Sequence, residues 1–242
     1  MSQLELAARA GTTQRHVSFI ESGRSAPGRA MVIRLAESLE VPIRERNDLL
    51  LAAGFAPVYP RTALDDPALA PVRTALERIL AGHLPYPAVV VDRCGDLVSA
   101  NAAFHALTAT AAPHLLAPPV SVPRLLLHPD GLAPRIVNLD EWAWHVIDRL
   151  HAEAVRNPHD RLQRLAAELA ELVPDRPRQP GPDHLGFAVP LRLRTGDGEL
   201  RLVTTLTHFG TAVDVTIAEL RLEAFLPADE ATAAFLTALV PR

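Results

Sequence analysis

The sequence predicts two domains: an N-terminal all-α unit of short helices built around a helix-turn-helix, and a C-terminal α+β unit with a five-stranded antiparallel sheet. Three observations carry that expectation. At 242 residues the chain is longer than one typical domain. Residues 54–67, GFAPVYPRTALDDP, hold three prolines and read as a connection between units. The apolar period is helical before this stretch and alternates residue by residue in the last third of the chain. The expected division is 1–57 for the helical unit, 58–66 for the linker and 67–242 for the α+β unit.

Residues 2–10, SQLELAARA, form the first predicted helix, with Ser2 as its cap and Gly11 free to take the positive φ that ends it. Thr13 caps the second, whose inner face is Val17 and Ile20, joined by Phe19, and which Gly23 closes. Two helices three residues apart with a glycine opening the turn make a helix-turn-helix. Val32, Leu35, Ala36 and Leu39 then fall at helical spacing, a core-facing stripe from about Arg29 to Glu40. A fourth helix follows Pro42 and stops at Gly54.

Past the linker, residues 67–81 predict a helix. AVVVDRCGDLVSAN, residues 88–101, predicts two strands around a turn at Cys94-Gly95. A helix is expected from Asn101 to Leu107, a short helical piece near Leu125, and two longer helices separated by Pro158. FAVPLRLRT and ELRLVTTLTHF alternate in polarity about the turn Gly196-Asp197-Gly198, an antiparallel pair. A fifth strand at about Glu219–Leu226 and a helix from Ala228 complete the unit.

Composition limits the function classes. No run of residues has the length and apolarity of a membrane span, and the first residues lack a secretion-signal pattern, so a cytoplasmic protein without a membrane partner is expected. Cys94 is the only cysteine, which excludes an intrachain disulfide and a cysteine-based zinc site. It reads as an inert thiol in a turn; a redox role requires an electropositive neighbourhood. All 24 basic residues are arginine. Residues 1–60 carry seven Arg against six acids, whereas the rest carries seventeen against twenty-two. Within residues 9–34 the ratio is five to one, a positive segment on an acidic body.

Catalysis is not expected. HExxH, GxSxG and a Gly-rich phosphate loop are all missing from the sequence. His145 and His151 lie six apart, nearly opposite on a helix, so neither a metal site nor a cofactor is assigned. Asp65-Asp66 and Asp229-Glu230 sit where helix starts attract acids.

The stretch SQLELAARAGTTQRHVSFIESGRSAPGRAMVIRLAESLEVP resembles the Cro/C1-type (XRE) repressors, of lambda-repressor-like fold, at Gln3, Leu6, Ala7, Gly11, Thr13, Val17, Ile20, Glu21 and Gly23. HLPYPAVVVDRCGDLVSANAAFHALT, with LHPDGLAPRIVN and EWAWHVIDRL, resembles the MmyB-type regulator ligand-binding domain, a PAS-like α+β fold. Together the two resemblances span nearly the whole chain and imply a DNA-binding regulator. Repressor domains of this class begin with one more helix. The chain starts on what corresponds to the second, so Met1 is expected to be internal to a longer frame. Parts of Leu6, Val17 and Ile20 are then expected to lie uncovered, and Glu21 to lose the first-helix Arg it often pairs with in relatives.

In such a motif the second helix enters the major groove, with its first residues at the base edges. Gln14 carries an amide matched to adenine, Arg15 a fork matched to guanine or phosphate, and Ser18 lies a turn along the same face behind the Thr13 cap. Gln3 is placed to meet phosphate from its own helix start, with Arg24 and Arg29 as further phosphate contacts. His16 fits both a groove contact and plain exposure. Read without the turn and the local charge, the same residues are merely the solvated side of a small helix. One half-site is weak, so a homodimer on double-stranded DNA is expected.

For the larger unit the resemblance implies a small apolar ligand, including a fatty-acid-like one. Phe104, Trp142 and Trp144 are the candidate pocket aromatics, with core packing as their other reading. Trp142 and Trp144 cannot both face inward from one helix. A larger unit that serves only for dimerisation or partner docking is the alternative.

Overall fold

The structure, a computed structural model, describes residues 1–156, 160–176, 181–182, 184–186, 188–196, 198–210 and 212–239. It divides into two units: Met1–Asp66 with Phe209–Glu219, and Pro67–His208 with Leu220–Arg242.

The first unit opens with α1 (Gln3–Arg9), α2 (Gln14–Glu21), α3 (Arg29–Ser38) and α4 (Ile43–Ala52). Ser2 Oγ accepts the Glu5 N–H at 3.1 Å and caps α1. At the other end Thr12 N–H bonds Ala7 O and Gly11 N–H bonds Ala8 O, a Schellman closure that Gly11 permits at φ 60°. Thr13 Oγ1 then accepts the His16 N–H at 3.1 Å, so the next helix begins at once. Ala7, Ala10, Val17, Met31, Val32, Ala36 and Leu50 are buried, the alanines letting α1 and α2 approach closely. The α3 stripe is shorter than its spacing predicts. Helix α3 ends at Ser38, Leu39 becomes the C-cap with 48% of its surface exposed, and Glu40 turns left-handed at φ 54°.

In the second unit a 3₁₀ turn, Pro67–Leu69, runs into α5 (Ala70–Gly82), followed by β1 (Ala88–Val91) and β2 (Leu97–Ala100). Asp92 Oδ1 accepts the Cys94 and Asp96 N–H groups and shapes the turn between those strands. Asn101 caps α6 (Ala102–Thr108). Its oxygen takes the Phe104 and Ala88 N–H groups while its amide donates to Leu80 and Tyr86 carbonyls, which ties helix, strand and loop together. Then come α7 (Val122–Leu127), α8 (Leu139–Arg156), α9 (Asp160–Leu172), β3 (Leu191–Thr195), β4 (Gly198–His208), α10 (Val215–Ala218), β5 (Arg221–Pro227) and α11 (Glu230–Leu239). Pro158 and Asp197, assigned to a helix break and a turn, lie outside the described residues.

All five strands join one antiparallel sheet in the order β2-β1-β5-β4-β3. The last strand in the chain thus lies at the sheet's centre. Residues of α6 to α9, Val89, Val91, Leu191, Leu193, Leu200, Leu202 and Phe225 form one buried cluster over it. Among the described residues no helix is long and apolar enough to cross a membrane. Cys94 is buried, and burial, then Asp92, raises its thiol pKa, so the inert reading fits its surroundings.

The connection from β4 to β5 belongs to the first unit. Nothing in the alternation of the two strands announces this. Asp214 caps α10 through the Thr216 N–H, and its second oxygen accepts the Thr62 hydroxyl at 2.6 Å and the Thr62 N–H at 3.1 Å. Val215 N–H bonds Pro60 O, and Arg44 of α4 makes a two-pronged ion pair with Glu219, its Nη2 lying 2.7 Å from Oε2. Asn47 holds Val58 and Tyr59 by their backbones, so the Pro-rich stretch is fastened down on α4.

Burial pushes the Asp214 carboxyl up, but the Thr62 hydroxyl and the Thr216, Thr62 and Ile217 N–H groups outweigh it and hold the pKa below the ordinary carboxylate value. A depressed native pKa means stabilisation that is complete above the unfolded pKa and lost as pH falls through the native one. Asp214→Asn is therefore expected to lower stability by about 1–3 kcal/mol at neutral pH. Denaturant melts of parent and variant should differ fully at pH 7 and converge only below about pH 4.

Candidate functional site

Helix α2 presents its first residues outward. Thr13, Gln14 and Arg15 are exposed, while Val17 is 1% exposed and anchors the opposite face. The Arg15 guanidinium lies 5.0 Å from the Phe19 ring centroid and that of Arg24 lies 6.0 Å from it. One half-buried aromatic thus has two cations within 6.0 Å of its ring centroid. This role for Phe19 was not read from the sequence, although an aromatic four positions after an Arg on a helix is its signal.

The other candidates divide by their present partners. His16 Nδ1 lies 3.0 Å from the Thr12 hydroxyl, and Ser18 is half-buried. Arg24 and Arg29 are exposed. Gln3 Nε2 donates to Glu21 Oε2 at 2.6 Å, linking the starts and ends of the two motif helices. Glu21 thereby has a partner on α1, where the sequence led us to expect the loss of one. Gly28 opens α3 without a side-chain cap, so Arg29 stands at a helix start that no side chain caps.

A cavity of about 640 Å³ lies in the second unit between α8 and the two central strands. Trp142, His145, Val146, Arg149 and Ala152 come from α8, Val203 to Leu206 from β4, Glu223 and Phe225 from β5, with Leu126 from α7. The register sets this wall: Thr204 faces Phe225 and Leu206 faces Glu223, and paired residues share a face. Most of the lining is apolar. The polar lining consists of the Arg149–Glu223 ion pair at 3.2 Å, His145, Asp148, Thr204 and Thr205. Glu223 is 6% exposed, and the shielded Thr204 hydroxyl has no hydrogen-bond partner. Burial, then Arg149 and His184, lowers the His145 pKa, so its ring is neutral at pH 7.

Of the three aromatics singled out from the sequence, only Trp142 lines the cavity. Trp144, two residues and about 200° further round α8, turns away. Its Nε1–H donates to Pro174 O at 2.8 Å, and Arg176 lies over its ring. Phe104 packs in the core with its ring centroid 6.1 Å from that of Phe225, behind the cavity wall. Sequence reasoning missed His145, Arg149 and Glu223. The signal for Glu223 was a charged pair, Arg221 and Glu223, alternating with Leu222 and Ala224 in β5.

Comparison with known proteins agrees with both halves. A helix-turn-helix family model matches residues 1–46, and one described as the MmyB-like transcription regulator ligand binding domain matches residues 72–239. Among solved structures, that of an RNA-binding light-oxygen-voltage receptor is similar at 17% identity and a TM-score of 0.28. The alignment covers 97% of this chain and 56% of that one, so the chain spans little more than half its length. No curated protein matches the chain.

Proposed function

The chain belongs to the MmyB-like transcription regulator ligand binding domain family and carries a helix-turn-helix, a DNA-binding regulator with a ligand-binding domain; on that premise we propose that it reads a specific DNA sequence as a homodimer and answers to a small apolar ligand. Gln14 and Arg15 contact base edges, with Ser18 and His16 behind them along the groove. Gln3, Arg24 and Arg29 neutralise phosphates, and Thr13 sets the start of the reading helix. The ligand lies against Trp142, Val146, Leu126 and Phe225 with its one polar end toward Arg149, Glu223 and Thr204. A fatty-acid-like chain fits the volume, its head group competing with Glu223 for Arg149. The family model over residues 72–239 describes a transcription regulator, and the reading requires no catalytic step.

One observation supports the effector response above the rest. Strands β4 and β5 both line the cavity, and the chain joining them carries α10, which packs in the unit that holds α2. A ligand that alters the spacing of these strands acts on the DNA-binding unit through covalent continuity.

A thermal-shift screen of single-chain lipids against the parent and Ala152→Trp tests it. Ala152 is exposed at the cavity wall, so the added indole takes up cavity space from its rim. A hundredfold excess over Kd stabilises by about 2.7 kcal/mol, some 5–10 °C for a unit of this size. The parent is expected to gain that shift with at least one lipid and the variant to lose it. A lipid-indifferent parent that still binds DNA would favour the docking-scaffold alternative.

A further inference from the structure

Away from the cavity and from α2, two loops of the second unit bring three metal-ligating side chains together. His114 belongs to the 3₁₀ turn Pro113–Leu115, while His128 and Asp130 follow the end of α7. One ligand atom from each lies within 4.8 Å of the others. His114 Nε2 is 3.8 Å and His128 Nδ1 3.9 Å from Asp130 Oδ2, too far for hydrogen bonds. The two imidazoles meet edge to face with centroids 5.6 Å apart.

The frame behind them is fixed. Leu115, Leu127 and Leu132 are buried in the core beside the three ligands, and Ala112 N–H donates to Asp130 O at 2.9 Å, joining one loop to the other. Gly131 N–H bonds His128 O, and Leu132 N–H bonds Leu125 O. The turn is so close to α7 that a Cβ on Gly131 would sit 2.1 Å from Leu125 O. The backbone bonds thus hold the three side chains beside one another. His128 Nδ1 accepts the Asp130 N–H at 3.0 Å, so this nitrogen is already the unprotonated one. Glu168, which interacts electrostatically with His128, is paired with Arg124 at 2.6 Å.

We propose that His114, His128 and Asp130 form a binding site for one divalent first-row transition cation such as Zn²⁺, clasping the two loops together. Two imidazoles and one carboxylate suit Zn²⁺, Ni²⁺ or Co²⁺ and disfavour Ca²⁺ and Mg²⁺, which take oxygen shells. Metal bonds of about 2.0–2.2 Å place tetrahedral ligand atoms roughly 3.4 Å apart, so the two histidine–Asp130 pairs close by about half an ångström and the two imidazole nitrogens, within 4.8 Å of one another, by at most about 1.4 Å. The exposed His114 and Asp130 and the partly buried His128 supply that closure by side-chain rotation. His128 Nδ1 exchanges its bond to the exposed Asp130 N–H for a coordinate bond, and water completes the shell. No HExxH-type spacing marks the set; its sequence trace is the His-x-Asp of residues 128–130, and the third ligand arrives through the fold. The site stands independently of the regulator reading.

The test is a Zn²⁺ titration of the full chain, purified without a histidine tag, in competition with a chromophoric chelator. One equivalent is expected to bind with micromolar affinity. His114→Ala and Asp130→Asn, both at exposed positions, are each expected to weaken it about tenfold or more. His105→Ala, an exposed histidine outside the cluster, is expected to leave it unchanged. Co²⁺ should give a visible d–d band that His114→Ala abolishes. Absence of stoichiometric binding, or binding that survives His114→Ala and Asp130→Asn together, overturns the proposal.

Discussion

Replacing Gln14 and Arg15 together by alanine is expected to remove at least a hundredfold of the preference for the selected DNA site over random duplex. Each two-bond contact to a base discriminates by about 1–3 kcal/mol, and a dimer uses each residue twice. Folding should be retained. Both side chains are exposed, alanine suits a helix interior, and the Thr13 cap and the Val17 anchor remain in place. Random-duplex affinity should fall far less, because the proposed phosphate contacts of Arg24 and Arg29 are untouched. Arg29→Ala should do the opposite: it weakens all sequences alike and reduces the salt slope by about one. Fluorescence anisotropy on selected and scrambled duplexes across a salt series reads both quantities.

The second large effect concerns Arg44 and Glu219. Arg44→Ala is expected to leave ligand-free DNA affinity within a few-fold of the parent and to bring the ligand's effect on that affinity close to none. Allosteric coupling between sites usually amounts to about 1–3 kcal/mol, or 5- to 150-fold in affinity. In the proposed regulator this passes through the β4–β5 connection, whose end is held to α4 by the Arg44–Glu219 pair. The lipid should still bind, since the cavity lies in the other unit. Loss of the half-buried pair should cost the first unit about 1 kcal/mol, so calorimetry and DNA titration are performed well below its melting temperature. DNA affinity that responds to ligand equally in parent and variant would place the coupling elsewhere.

What the sequence disclosed follows the range of the interactions. Thr13, Gly11 and Ser2 act within four residues of themselves, so the helix starts, the Schellman turn and the outward face of α2 were legible. The hairpin of β1 and β2 and the pairing of β3 with β4 were legible for the same reason. The place of β5 was not: it inserts between β4 and β1, and its pairing with β1 spans more than a hundred residues, for which alternation gives no order. The cavity is non-local as well, since α8 meets strands some sixty to eighty residues later. Choosing aromatic bulk found Trp142 on its wall but could not tell it from Trp144, which differs only in its angle around the helix. The docking of Phe209–Glu219 on α4 depends on Arg44 meeting Glu219, and charges on partners so distant in sequence look like ordinary surface charges until the fold brings them together.

The most direct measurement is a base-resolved affinity profile: the full chain and Gln14→Ala, each titrated at physiological salt against every single-base change of the selected site. The parent is expected to show symmetric half-sites, and the variant to lose preference at one base pair in each while keeping the rest. An identical profile for the two proteins, or a folded parent without any preferred site, would contradict the claim that the tip of α2 reads DNA.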